Sequence, residues 1–200
     1  YHLNSHAGAG RLEPVDVSRP EPAEGEVRIQ VEAASLNYRD LITLDRAGQT
    51  GLNDRVPLSD GAGVVDAIGA NVAQWQIGDR VAASFFRDWI SGPFKSSYVS
   101  SSLGGSTTDG MLAEYVVLPA TALVAVPAHL SSVEAATLPC AGVTAWHGLI
   151  TRGGMRKGDT LLVQGTGGVA LFGLQFAAAL GARAIVISSS DEKLARARTM

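Results

Sequence analysis

Gly165-Thr166-Gly167-Gly168-Val169-Ala170 has Gly-X-Gly-X-X-Ala spacing, and these residue types suit one task, holding phosphate with backbone rather than side chains. The first glycine permits a tight turn, and the second lets the backbone approach a pyrophosphate. Ala170 is small enough for a helix to pack on a strand. A helix starting here turns unpaired N–H groups and the positive end of its dipole toward the phosphates. The loop thus predicts a dinucleotide held by Gly165, Thr166, Gly167, Gly168 and Val169. A purely structural turn is the alternative. No Lys-Ser/Thr pair follows the loop, which disfavours a phosphate-loop nucleotidase.

The next strand end chooses between cofactors. It reads Ser188-Ser189-Ser190-Asp191-Glu192-Lys193. Hydroxyls and a lysine suit a 2′-phosphate, which a carboxylate would repel, so Ser188, Ser189 and Lys193 favour NADPH over NADH. Arg183 and Arg196 are weaker phosphate candidates. Ser189 with Glu192 also fits a capping box for the following helix, and Asp191 is within reach of a ribose, so NADH stays open.

These groups need a strand, a helix and a second strand in order. Residues 160–164 predict the first strand, 169–180 the helix and 184–187 the second strand. Between Asp159 and Asp191 only Arg183 is charged, as in a parallel sheet sandwiched between helices. Upstream, Ser131 and Glu134 form a capping box, Pro139 is expected to stop that helix, and a second helix spans about 142–151, ended by Gly153-Gly154. The half up to about Val126 reads as strands and polar turns. Residues 26–32 alternate with a period of two, and turn signals recur about every ten residues, as in a small barrel. Residues 84–110 hold eight serines and four glycines with Phe85, Phe86, Trp89, Phe94 and Tyr98 interspersed. This reads as a long surface excursion, either lining a site or forming an ordinary flexible loop.

The 200 residues carry 16 basic and 19 acidic side chains, well dispersed, for a net charge of -3. No basic stripe suits a nucleic-acid backbone. The single cysteine, Cys140, excludes an internal disulfide and a structural zinc cage, and it fits a reducing, cytoplasmic location. No secretory signal opens the sequence, and the apolar run 169–182 is too short to cross a bilayer.

Six segments together resemble the medium-chain dehydrogenase/reductase superfamily, in its zinc-independent, quinone oxidoreductase-like branch. Five are Ser35-Leu36-Asn37-Tyr38-Arg39-Asp40-Leu41, Gly61-Ala62-Gly63-Val64-Val65, Gly78-Asp79-Arg80-Val81, residues 110–116 and residues 138–146; the glycine loop is the sixth. The resemblance implies an α/β chain with an N-terminal GroES-like β-barrel domain over residues 1–126. The first part of a Rossmann domain, a doubly wound parallel sheet, would occupy residues 127–200. It also implies roles for Asn37, Tyr38 and Arg39 beside the nicotinamide, as carbonyl or cofactor contacts, with Tyr38 a candidate proton donor. Asp40 would orient that segment, and Thr144 would pack near the nicotinamide or its ribose.

In the alcohol dehydrogenase branch catalytic zinc sits on a cysteine, a His-Glu pair and a second cysteine. Here Asn37 takes the first place, Ser59 and Asp60 the pair, and only Cys140 survives. Three protein ligands are needed, so no zinc is expected, and His147 reads as a packing or surface residue. The reading that follows is NADPH-dependent hydride delivery to a quinone or an α,β-unsaturated carbonyl, by a protein that is homodimeric at full length. The alternatives are a zinc-type alcohol dehydrogenase and a truncated, non-catalytic nucleotide-binding protein. Only one strand-helix-strand unit of the second domain is present, so the sequence reads as a fragment.

Overall fold

The computed structural model describes residues 1–6, 9–50 and 53–200. Contacts divide the chain into two compact units, Tyr1–Pro139 and Cys140–Met200.

In the first unit β1 (His2–His6) and β2 (Ala9–Glu13) pair as an antiparallel hairpin. β3 (Glu26–Ser35) is followed by helix α1 (Tyr38–Thr50), then β4 (Asp60–Ile68), β5 (Arg80–Ala83), β6 (Tyr115–Pro119) and β7 (Leu123–Ala125). The last five strands form an antiparallel sheet in the order β6-β3-β4-β5-β7. Val27, Ile29, Val65 and Val81 point to a common core with Leu103, Met111 and Leu118. The strict alternation expected of β3 fails at Arg28, which is only 7% exposed. Its guanidinium is buried because Asp66 and Glu21 accept from it at 2.7 and 2.8 Å, and Pro20 O at 2.9 Å. A charge is tolerated there because it is paired and hydrogen-bonded.

Helix α1 lies inside the half read from sequence as strands and turns. Its start is closed reciprocally: the Asn37 N–H donates to Asp40 Oδ2 at 2.7 Å, and the Asp40 N–H to Asn37 O at 2.9 Å. The short helix α2 (Ser132–Ala135) carries the expected Ser131–Glu134 capping box. Ala135 and Ala136 pack with Ala62, Ala33, Ala82 and Val126, and the Ser132 hydroxyl donates to Glu32 at 2.5 Å. Residues 127–139 are thereby tied to the first unit.

Pro139 does not stop α2, which ends by itself. It lies instead near the start of the wide helical turn Leu138–Gly142, where a missing N–H costs little. The path continues through α3 (Val143–Trp146) and the turn His147–Arg152 to Gly153. In the second unit β8 (Thr160–Gln164), α4 (Gly168–Leu180), β9 (Arg183–Ile187) and α5 (Asp191–Ala197) follow, with β8 and β9 parallel. α4 covers one face through Gly173, which meets Leu161, and through Ala177. On the other face Leu162, Ile185 and Ile187 are exposed, so the two-sided cover expected from the uncharged sequence is present on one side only among the described residues.

Gly63 lies where β4 passes β3. A Cβ there would collide with the carbonyl oxygen of Gln30 and come within 2.9 Å of Val31 Cα. Both obstacles are backbone, so relief requires the strands to part. Gly63→Ala is expected to lower unfolding stability by about 3 kcal/mol or more, read from urea denaturation midpoints.

Candidate functional site

The predicted residues fall into two groups, one in each unit. Asn37, Tyr38 and Arg39 lie together at the start of α1. Tyr38 is 79% exposed. The side-chain Nδ2 of Asn37 is buried and has no hydrogen-bond partner among the described residues. Asp40, 10% exposed, has its carboxyl held above the usual carboxylate range, chiefly by burial, against the opposing pull of the Asn37 N–H and the Arg39 cation. Arg39 is already engaged: Nη1 donates to Leu103 O at 2.9 Å, and Cζ stands 4.8 Å from the Phe85 ring centroid.

Ser59 and Asp60 are fully buried, and the Ser59 hydroxyl donates to Asp60 Oδ1 at 2.7 Å. Leu58 just before them is left-handed, φ 70°, and its carbonyl accepts from the Met111 N–H at 2.9 Å. Among the described residues no three His, Cys, Asp or Glu side chains cluster as a metal-binding group.

The serine-rich excursion has its own packing, which the sequence reading did not resolve. Phe86, Trp89, Phe94 and Tyr98 cluster at centroid distances of 5.3 to 6.1 Å, Trp89 and Tyr98 stacked and the other pairs tilted or edge-on. Leu103 is fully buried, and Ser96–Ser101 form a 3-10 turn. The signal was present in the five aromatics, but their partners are set by contacts within the folded loop.

In the second unit the parallel register pairs Gln164 with Ile187, and the Gly165 N–H donates to Ile187 O at 2.8 Å. The glycine loop and Ser188 therefore lie at the same carboxyl edge of the sheet, where ligands bind in open α/β sheets. Gly165 has φ 85° and supplies the turn. Gly167 is extended (φ −80°, ψ 178°) and caps α4, with open space where a Cβ would stand. No side chain caps α4, and its first turn holds no acid, so its N-terminal N–H groups keep no side-chain acceptor. Val169 and Thr144 are exposed.

The cap of α5 differs by one residue from the Ser189–Glu192 box expected from sequence. Ser190 is the cap, its hydroxyl accepting from the Lys193 N–H at 3.3 Å, and Ser188 Oγ accepts from the Ser190 N–H at 3.3 Å. Ser189 is left exposed at the strand end.

An antiparallel sheet domain followed by a parallel strand–glycine loop–helix–strand unit defines a GroES-like domain joined to the start of a Rossmann domain. Residues 23–128 match the alcohol dehydrogenase GroES-like domain. Among relatives, a zinc-type alcohol dehydrogenase-like protein of Schizosaccharomyces pombe is 45% identical, over 97% of this chain and 57% of its own length. The acryloyl-coenzyme A reductase of Sulfurisphaera tokodaii is 32% identical, over 89% and 55%. A solved structure of the alcohol dehydrogenase class from Sinorhizobium meliloti 1021 superposes with TM-score 0.90 at 43% identity, over 99% of this chain and 60% of that one. A Pseudomonas syringae quinone oxidoreductase gives 0.74 at 28%, over 99% and 55%. The chain belongs to the medium-chain dehydrogenase/reductase family, and it spans a little over half the length of these relatives. No helix among the described residues is long and apolar enough to cross a membrane.

The raised Asp40 fixes the sign of a pH effect. The folded state favours its protonated form, so ionisation costs stability at neutral pH. That cost fades as pH falls toward the ordinary value of about 3.9. Asp40→Asn keeps an oxygen to accept the Asn37 N–H and removes the charge. Thermal melts are expected to show it at least as stable as the parent at pH 8, with the margin narrowing toward pH 4.

Proposed function

We propose that the full-length protein is an NADPH-dependent oxidoreductase that delivers hydride to a quinone or an α,β-unsaturated carbonyl without a metal ion. The observation that carries this reading is the donor set Asn37, Ser59 and Asp60: an amide, a hydroxyl and one carboxylate to which that hydroxyl is already bonded. Neutral amide and hydroxyl oxygens are poor zinc ligands, and one carboxylate with the lone thiol of Cys140 falls short of three protein ligands. The donor set does not fit a catalytic zinc ion, whatever the name of the S. pombe relative. The reductase and quinone oxidoreductase names among the relatives agree with the reading.

The residues of the second unit do fit a dinucleotide. Gly165, Thr166, Gly167, Gly168 and Val169 would hold the pyrophosphate at the uncapped end of α4. Ser188, Ser189 and Lys193 would meet the 2′-phosphate, and Thr144 the nicotinamide side. When bound, the cofactor supplies a hydride. Asn37 Nδ2, buried and without a hydrogen-bond partner among the described residues, would donate to the acceptor oxygen, where charge gathers on reduction. Exposed Tyr38 would supply the proton that completes reduction. A cytoplasmic, homodimeric full-length protein belongs to the same reading.

Assaying full-length protein with NADPH against quinones, enones and simple alcohols tests it. Turnover of quinones or enones that survives chelators is expected; chelator-sensitive alcohol oxidation would replace it with the zinc-type reading.

Gly167 is extended and unobstructed, so a side chain there strains nothing and instead enters the space of the pyrophosphate. Gly167→Val is expected to weaken NADPH binding at least about ten-fold while stability changes by less than about 1 kcal/mol. Melts and titration on one preparation decide it, and intact affinity would reject the cradle. Lys193→Gln is expected to cost about one to two decades of NADPH affinity and to leave NADH binding unchanged.

A further inference from the structure

Arg39 holds both ends of one loop. Its guanidinium covers the face of Phe85, with Cζ 4.8 Å from the centroid, and Nη1 donates to the carbonyl of Leu103 at 2.9 Å. Those two residues are themselves joined, Leu103 N–H to Phe85 O at 3.0 Å, and the Arg87 N–H donates to Ser101 O at 3.0 Å one step further in. The segment 85–103 is therefore a closed loop with a narrow neck, filled by the Phe86–Trp89–Phe94–Tyr98 cluster, and Phe94 at its outer part is 48% exposed. The arginine at the neck is two residues along the chain from Asn37, and its side chain is 24% exposed.

We propose that Arg39 is a positioning residue that clasps the neck of the aromatic loop and thereby sets which acceptors reach Asn37, favouring planar ring acceptors over acyclic ones. The acceptor half rests on the function proposed above; the clasp does not. With Nη1 bonded to Leu103 O, its face on Phe85 and Asp40 Oδ1 3.9 Å away, the guanidinium is held against the loop and acts through it. A planar ring fits beside fixed aromatic faces, with offset or edge contacts contributing beyond buried area. An acyclic enone gains little from them.

Hydrogen exchange on the intact chain reads the clasp without any turnover. In Arg39→Leu, amides in 85–103 are expected to exchange about ten-fold faster while β3 and β4 are unchanged, and Arg39→Lys, which keeps a donor for Leu103 O, restores part of the protection. In full-length protein with NADPH, Arg39→Leu is expected to raise KM for 1,4-naphthoquinone about five-fold or more, with KM for methyl vinyl ketone and both kcat values within about two-fold. Unchanged exchange with kcat falling equally for both acceptors would overturn the proposal, because Arg39 would then touch the reacting groups. Faster exchange with no change in acceptor preference would overturn its acceptor half. If the parent reduces neither acceptor, the function proposed above fails and the acceptor half with it, whereas exchange still decides the clasp.

Discussion

The backbone of Leu58 is the constraint on which the first unit's site depends. A leucine at φ 70° costs about 1–2 kcal/mol relative to the right-handed regions, and such a conformation persists only where its surroundings impose it. Here they do. The side chain is 4% exposed, its carbonyl accepts from Met111, and the chain returning from the excursion presses on it at two glycines. A Cβ on Gly104 would stand 2.6 Å from Leu58 N, and one on Gly110 would collide with Leu58 O. Ser59 and Asp60 follow directly, so the strained residue aims the buried hydroxyl–carboxylate pair into the start of β4.

That dependence joins features that are far apart in sequence. Arg39 binds the carbonyl of Leu103, the residue before Gly104, so the first turn of α1, the aromatic loop and the Leu58 corner share one continuous set of contacts. The Asn37–Asp40 reciprocal cap closes the same turn and keeps Asp40 buried enough to raise its carboxyl. A change at any one of these residues is therefore felt at the others, and additive effects are not expected among them.

What was legible in the sequence followed from how local each signal is. The strand–loop–helix–strand unit was readable to within a residue at each end: 160–164 for β8, 169–180 against Gly168–Leu180 for α4, and 184–187 against Arg183–Ile187 for β9. Periodicity and glycine placement lie within each element, so neighbours settle them. The Ser131–Glu134 box was readable for the same reason, while the α5 cap slipped by one because three consecutive serines offer the same chemistry and only backbone geometry chooses Ser190. α1 was missed because its signal, Asn37 with Asp40 three residues on, stood in a strand-rich half. Buried Arg28 was missed because Asp66 lies 38 residues away. The core of the excursion and the clasp at its neck are tertiary facts, and no period encodes them.

On the proposed reading, the chemistry available is limited by what neutral donors can stabilise. An amide aimed at a developing oxyanion contributes about 3–4 kcal/mol when its site is dry and preorganised, which the burial of Asn37 Nδ2 favours. Oxidising an unactivated alcohol requires localised alkoxide, for which a metal ion contributes several kcal/mol that this donor set does not replace. Adding hydride to an enone or a quinone spreads the same charge over an enolate or a hydroquinone anion before any protein group acts, so the demand falls within reach of one or two hydrogen bonds. On that reading, an amide, a hydroxyl and an aspartate in place of a cysteine and a His-Glu pair would narrow the reaction from the acceptor's side.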